Sequence, residues 1–177
     1  TIAATLDTAG AVSTRLERQP LLDEAARLIE EGNVVGWYQG RLEWGPRALG
    51  HRSILGDPRH PEMRDIINRK IKFREGFRPF APSVLAEDRD LWFALDRPSP
   101  YMLLVDQVHE HVRNGPQPLT AITHVDGSAR IQTVTREQDP MYYDLITAFK
   151  ARTGCGVVIN TSMNVRGEPI VNTPEDA

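Results

Sequence analysis

The sequence predicts an α/β (α+β) fold in which an open mixed sheet carries flanking helices. Two observations support this. Short apolar runs of strand length, such as "NVVGWY" (33–38) and "GVVINTS" (156–162), alternate with amphipathic segments of helix length, such as "QPLLDEAARLIEEG" (19–32). The alternation has no strict βαβ rhythm, so the sheet is expected to be mixed rather than all-parallel. At 177 residues and 40% hydrophobic content, the chain forms one domain, or one domain with a tail, and can bury a real core.

Each element follows from a local pattern. Residues 1–18, opening "TIAATLDTAGAVSTR", are rich in small residues and weakly periodic, so they read as a linker or a remnant of a preceding domain. The folded unit is then 19–177. Apolar residues at 21, 22, 25, 28 and 29, closed by Gly32, predict an amphipathic helix. A buried strand follows over 33–38, and "QGRLEWGPRALGHRSILGDPRH" (39–60) reads as a loop leaving it. A second helix is expected over 60–76, with Pro61 near its start and Gly76 at its stop. Met63, Ile66, Ile67 and Ile71 form its inward stripe, and Asp65, Asn68, Arg69 and Lys72 fall on the opposite side.

Strands are expected at 80–85 and 101–108, separated by a helical turn over 87–95. Residues 117–134 read as two extended runs around an Asp126–Gly127 turn. The helix at 139–154 has an Asp cap, a proline at its first position and a glycine stop. A buried strand at 156–162 runs into a polar loop, and 167–171 suits an edge strand. Thr173, Pro174 and the acids after them announce another helix as the chain stops. The chain is therefore expected to be a piece of a longer protein, truncated on at least its C-terminal side.

Global charge conceals a local concentration. The formal net charge is −3, yet residues 41–80 carry +5 and the remainder −8. Two like charges 4 Å apart repel by about 4 kcal/mol at an effective dielectric near 20, so a crowded basic loop asks for a reason. A focused positive region in an acidic chain suits a small polyanion better than long nucleic acid; a solvated basic surface fits the charge equally well. No apolar run approaches the roughly 20 residues that span a bilayer, and no signal-peptide pattern is present. The single cysteine, Cys155, excludes an internal disulfide and suits a reducing cytoplasm.

Three polar constellations lie near predicted strand ends, where open α/β sheets place ligands. The first is Arg41, Glu43, Arg47, His51 and Arg52, on a path turned by Gly45, Pro46 and Gly50. Guanidinium forks suit phosphate; a turn whose arginines pair with Glu43, Asp57 and carbonyls fits the same residues. The second is "NRKIKFREGFRPFAPS", led by Lys72 and Arg78, with Lys72 equally at home on a solvated helix face. The third is "VVINTSMNVRGEP", where Asn160, Thr161 and Ser162 offer amide and hydroxyl donors, or simply cap a turn. No GxxxxGK[ST], GxGxxG or GxSxG motif occurs. Cys155 reads as core. His109 and His111 face one way on a strand, without metal-site context.

Four stretches, "GRLEWGPRALGHRSIL", "RDIINRKIKFREGFRPFAPSVL", "THVDGSARIQTV" and "VVINTSMNVRGEPIVNTPEDA", closely resemble the C-terminal domain of the O-carbamoyltransferases that modify Nod factors and antibiotics. The resemblance covers roughly residues 20–177. It implies a twisted open sheet around a basic concave pocket, similar to threonylcarbamoyl-adenylate synthases (YrdC-like). It also implies binding of ATP, with Mg²⁺ in company, and of carbamoyl phosphate, to form carbamoyl adenylate. A separate N-terminal domain of actin-like ATPase fold, holding iron, would pass the carbamoyl group to an acceptor hydroxyl; no iron or acceptor site is expected in these residues. By this resemblance Arg47, Lys72, Arg78 and Arg130 form a cationic clamp, and Asn160 and Ser162 fix the adenylate phosphate or the carbamoyl group. Lys72, Arg78 and Ser162 are the catalytic candidates. Arg41, Arg52 and Arg166 form a second tier, as helpers or as partners of Glu43 and Glu168. The partners implied are carbamoyl phosphate, ATP and the N-terminal domain, with no membrane, no expected nucleic acid and oligomerisation left open. A basic RNA-binding module and a non-catalytic nucleotide sensor are the rival readings.

Overall fold

In the computed structural model, which describes residues 2–177, six strands form one open sheet in the order β1-β2-β6-β3-β5-β4. They are β1 (Val35–Tyr38), β2 (Arg52–Gly56), β3 (Ala81–Leu85), β4 (Leu104–Gln107), β5 (Ser128–Val134) and β6 (Val157–Ser162). Only the β3–β5 pair is parallel; every other neighbouring pair is antiparallel. The helices are α1 (Ile2–Thr8), α2 (Arg18–Glu30), α3 (Met63–Lys70), α4 (Arg89–Trp92), α5 (Glu110–Arg113) and α6 (Pro140–Thr153), with a 3₁₀ turn at Ala86–Asp88. The expected mixed sheet with flanking helices is therefore what the chain adopts.

Strands β2 and β3 are buried at every position, as befits strands covered on both faces. The long helices supply much of the cover. Leu22, Ala25, Ala26 and Ile29 of α2 and Tyr142, Leu145, Ile146 and Phe149 of α6 are buried in one apolar cluster with Leu55, Leu85 and Val157–Ile159. Full burial of each large side chain contributes about 1.5–3 kcal/mol. Helix α6 is fixed at both ends as its sequence announces. Asp139 Oδ1 accepts from the Met141 and Tyr142 amides at 3.1 and 2.9 Å, and Gly154 stops the helix at φ 74°.

Several expectations are corrected. The 39–60 loop contains β2, whose five residues are buried on both faces and so lack the alternation that marks a strand. The second helix ends at Lys70, not at Gly76, because the chain leaves helical geometry and Phe73 adopts φ 45°. That exit turns Lys72 inward, to 7% exposure, and Asn68 is fully buried; neither lies on a solvated face. The run before Asp126 is not a strand but a set of turns that bury Leu119, Ala121 and Ile122. Residues 167–171 form no strand, although the Val171 amide donates to the Met163 carbonyl at 3.0 Å. Residues 2–8 form a helix, α1, that buries nothing. No helix forms at 173; instead the Asp176 carboxylate accepts from the Asn172 and Thr173 amides at 3.0 and 2.8 Å. His109 and His111 stand at and within the short α5, with rings 5.5 Å apart, rather than on a strand. Cys155 is buried, and burial pushes its thiol up to about 12. Among the described residues no helix is long and apolar enough to cross a membrane.

Candidate functional site

The sheet's connectivity brings three chain segments to one end. Ser162, at the end of β6, lies opposite Ser53, at the start of β2, while Asn160 lies opposite Ala81, at the start of β3. The loop before β2 and the segment before β3 therefore meet the end of β6, and β5 runs parallel to β3 beside them. Together they enclose a cleft of about 550 Å³, lined by Arg47, Arg74, Arg78, Arg130, Asn160 and Ser162 with Phe80, Met102 and His124, and by no carboxylate. A second cavity of about 320 Å³ shares Arg74, Arg78, Thr161 and Ser162 and adds Lys72, Glu75, Asn164 and Arg166.

Charge in the cleft is poorly compensated. Burial, and then the neighbouring Arg47 charge, lowers the pKa of Arg130; burial, and then Arg78, does the same to Arg74. Nε of both Arg47 and Arg130 is buried with no acceptor among the described residues. Three contacts hold the walls. Arg74 Nε donates to Asn68 Oδ1 at 2.6 Å while its guanidinium stands 5.0 Å over Phe80, and Arg78 Nε is 3.1 Å from Glu75. Met102, beside Arg130, is held at φ 54°, a costly conformation for a side-chain-bearing residue that clusters at functional sites.

Lys72 is anchored without a carboxylate. Its ammonium donates to the Ser162 carbonyl, to the Asn164 carbonyl at 2.9 Å and to Asn164 Oδ1 at 2.8 Å. Burial, reinforced by the Arg74 charge, lowers its pKa to about 8. Ser162 Oγ donates to Asn164 Oδ1 at 2.7 Å, so lysine, serine and asparagine form one cluster. An anion arriving there meets a positive charge that no acid has neutralised.

Asn160 differs from its sequence reading as a donor. Its Nδ2 donates inward, to Ser83 Oγ at 3.1 Å and Gln132 Oε1 at 2.9 Å, so its amide protons are committed within the sheet. The second-tier arginines separate. Arg166 lines the second cavity. Arg41 lines a different cavity of about 390 Å³ with Trp44, Tyr101 and Asp139. Arg52 is buried, stacked 3.5 Å over Tyr38, and donates to the carbonyls of Gln39, Gly40, His51 and Asn172. The basic loop thus serves two purposes, since Arg59 pairs with Asp57 at 2.6 Å while Arg47 faces the cleft. Glu43 Oε1 fixes the loop by accepting from the Leu49, His51 and Arg52 amides.

Arg74, Asn164, Gln132 and Ser83 were not singled out by sequence reasoning. For Arg74 a signal existed: once the helix ends at Lys70, Lys72 and Arg74 lie two apart on a non-helical segment and reach the same cavity.

The family described as "Carbamoyltransferase C-terminus" matches residues 26–177. The chain is 51% identical to the nodulation protein NolO of Bradyrhizobium diazoefficiens, over 89% of this chain and 29% of that protein. It is 45% identical to the 3′-hydroxymethylcephem-O-carbamoyltransferase of Amycolatopsis lactamdurans, over 87% of this chain and 28% of the enzyme. With nodulation protein U of Rhizobium tropici it shares 38% identity, over 81% of this chain and 24% of that protein. The chain thus spans less than a third of the length of these relatives. With its match reaching from the middle of α2 to the last residue, the chain belongs to the carbamoyltransferase C-terminal family.

Proposed function

We propose that this domain binds ATP and carbamoyl phosphate in the cationic cleft and joins them into carbamoyl adenylate, as threonylcarbamoyl-adenylate synthases handle a related adenylate. The rest of the full-length protein, including an iron-holding domain of actin-like ATPase fold, then passes the carbamoyl group to an acceptor hydroxyl. The observation that carries this reading is the convergence of Arg47, Arg74, Arg78 and Arg130, from three chain segments, on one cleft without a carboxylate. Its volume lies within the range of small-molecule sites.

The chemistry asks for such a wall. Water attacks the carbonyl carbon of carbamoyl phosphate, the bond from that carbon to the bridging oxygen breaks, and phosphate leaves. A carbamate oxygen then attacks the α-phosphorus of ATP, forming one P–O bond while the bond to the pyrophosphate breaks. Both reactants are anions. Holding them in line and offsetting their repulsion is most of the catalytic problem. Preorganised cations do this in a site that need not reorganise. Arg47 and Arg130 suit the acyl phosphate, Arg78 and Lys72 the triphosphate, and Ser162 the group between them. Mg²⁺ would accompany ATP, held mainly by phosphate oxygens and water, since the larger cavity has no carboxylate in its wall and Glu75 in the smaller one is paired with Arg78.

Calorimetric titration with ATP and Mg²⁺, carbamoyl phosphate and double-stranded RNA tests this reading. Both small ligands are expected to bind, and Arg78→Ala is expected to weaken ATP by about 10–100-fold, matching the loss of one charge-assisted contact of about 1.5–3 kcal/mol. Tight, salt-sensitive RNA binding with neither small ligand retained would replace the enzyme by a binding module. ATP binding without carbamoyl phosphate would leave a nucleotide sensor.

A further inference from the structure

Donors crowd this cleft and acceptors are scarce, because guanidinium groups only donate. One group on the floor breaks that rule. Gln132 Nε2 donates to the Leu49 carbonyl at 2.8 Å. A carbonyl only accepts, so the nitrogen of Gln132 must face Leu49 and its Oε1 must face the opposite way. Ser83 Oγ donates to that Oε1 at 2.6 Å, and Asn160 approaches it at 2.9 Å. Turning the Asn160 amide over would set oxygen against oxygen at that distance. The chain from Leu49 through Gln132 therefore fixes which end of Asn160 is nitrogen, an assignment that otherwise depends on choice.

The consequence lies on the other side of the amide. Asn160 Oδ1 is then the free end of the amide, buried and with no donor among the described residues. Asn160 is 1% exposed, yet it lines the cleft. A buried acceptor without a donor calls for an N–H from a ligand. The surrounding arginines call for an oxyanion. A ligand that satisfies both carries an amide next to a phosphate.

We infer that Asn160 is a specificity-determining residue: its Oδ1 accepts an N–H from the acyl group of the bound acyl phosphate, so the cleft selects carbamoyl over acetyl. The inference rests on the acyl-phosphate reading above and adds the polarity of the floor. Acetyl phosphate has nearly the same shape but places a methyl where the carbamoyl group has NH₂. With the methyl bound, Oδ1 stays unpaired. Sites built to hydrogen-bond a polar group reject the analogue that lacks it far more strongly than apolar pockets reject a small change in size.

Two hydrolysis-resistant probes isolate this difference. Phosphonoacetamide and acetonylphosphonate differ only in NH₂ against CH₃, and inorganic phosphate serves as a reference. Calorimetry on the wild-type chain should give phosphonoacetamide at least about a tenfold advantage. Asn160→Leu should reduce that advantage to within about twofold, with phosphate affinity held within about threefold. Because leucine strands Ser83 and Gln132, Asn160→Thr is measured alongside; its hydroxyl can still donate to Gln132, but it offers no amide oxygen to the ligand. A wild-type advantage below about threefold overturns the inference, as does a tenfold advantage retained in either folded variant. Equal binding of both phosphonates would defeat Asn160's role alone. Failure of both phosphonates, together with carbamoyl phosphate itself, would defeat the acyl-phosphate reading as well.

Discussion

At the start of β6, Val157, Val158 and Ile159 are fully buried in the apolar cluster that contains Phe149 of α6; three residues later, Asn160, Thr161 and Ser162 border a cleft walled by guanidinium groups. The same strand, with continuous pairing to β2 and β3, does opposite work at its two ends. At one end apolar contacts are mutually supportive. At the other, Arg47 and Arg130 crowd each other, and among the described residues Lys72 has no counter-ion and Asn160 Oδ1 no donor. Local departures from stable packing gather where a ligand can relieve them. Stability and binding in this domain should therefore separate along a single strand.

Phe149→Ala is the strongest way to break the apolar end. It should cost about 3–5 kcal/mol in urea unfolding, as large-to-small changes of buried aromatic residues do. The folded fraction should keep its affinity for inorganic pyrophosphate. Loss of that affinity in folded protein would mean that the two ends are not separable.

Lys72 sharpens the comparison from the other side. Its pKa is about 8 in the folded chain against 10.5 unperturbed. Between those values the unfolded chain keeps a proton that the folded chain has released, so stability should rise with pH across this window, by up to about 3 kcal/mol. A bound anion favours the charged lysine, so pyrophosphate affinity should fall above about pH 8, by no more than about tenfold per pH unit. Both trends should disappear in Lys72→Met. Urea titrations and calorimetry at pH 7, 9 and 10.5 check this, and identical slopes in the two proteins would remove Lys72 from the site. At the small end, Trp44 is fully exposed outside the cleft wall. Trp44→Ala should change stability by no more than about 0.5 kcal/mol and leave pyrophosphate binding intact; a tenfold loss would extend the site into the loop.

Legibility in the sequence follows the same division. Helix α6 could be read from its residues because Asp139, Pro140 and Gly154 act locally, and β6 because an apolar run ends in a polar loop. Strand β2 could not, since burial on both faces erases alternation and the flanking arginines dominate the segment. For the site, residue type and grouping pointed to Arg47, Lys72, Arg78, Asn160 and Ser162, and the family resemblance added Arg130; all six line the two adjoining cavities. What spacing could not supply was orientation. Arg52 stands five residues from Arg47 yet is spent on Tyr38 and backbone carbonyls. Asn160 spends its amide protons inside the sheet, not on the cleft, because Gln132 and Leu49, distant in sequence, decide which way its amide faces.

The most direct measurement is a crystal structure after soaking with ATP, Mg²⁺ and carbamoyl phosphate. The account predicts phosphate density in contact with Arg47, Arg78 and Arg130, with the Lys72–Ser162–Asn164 cluster facing the nucleotide. Ligand density confined to the separate cavity beside Arg41 and Trp44, with the arginine-lined cleft holding only water, would contradict it.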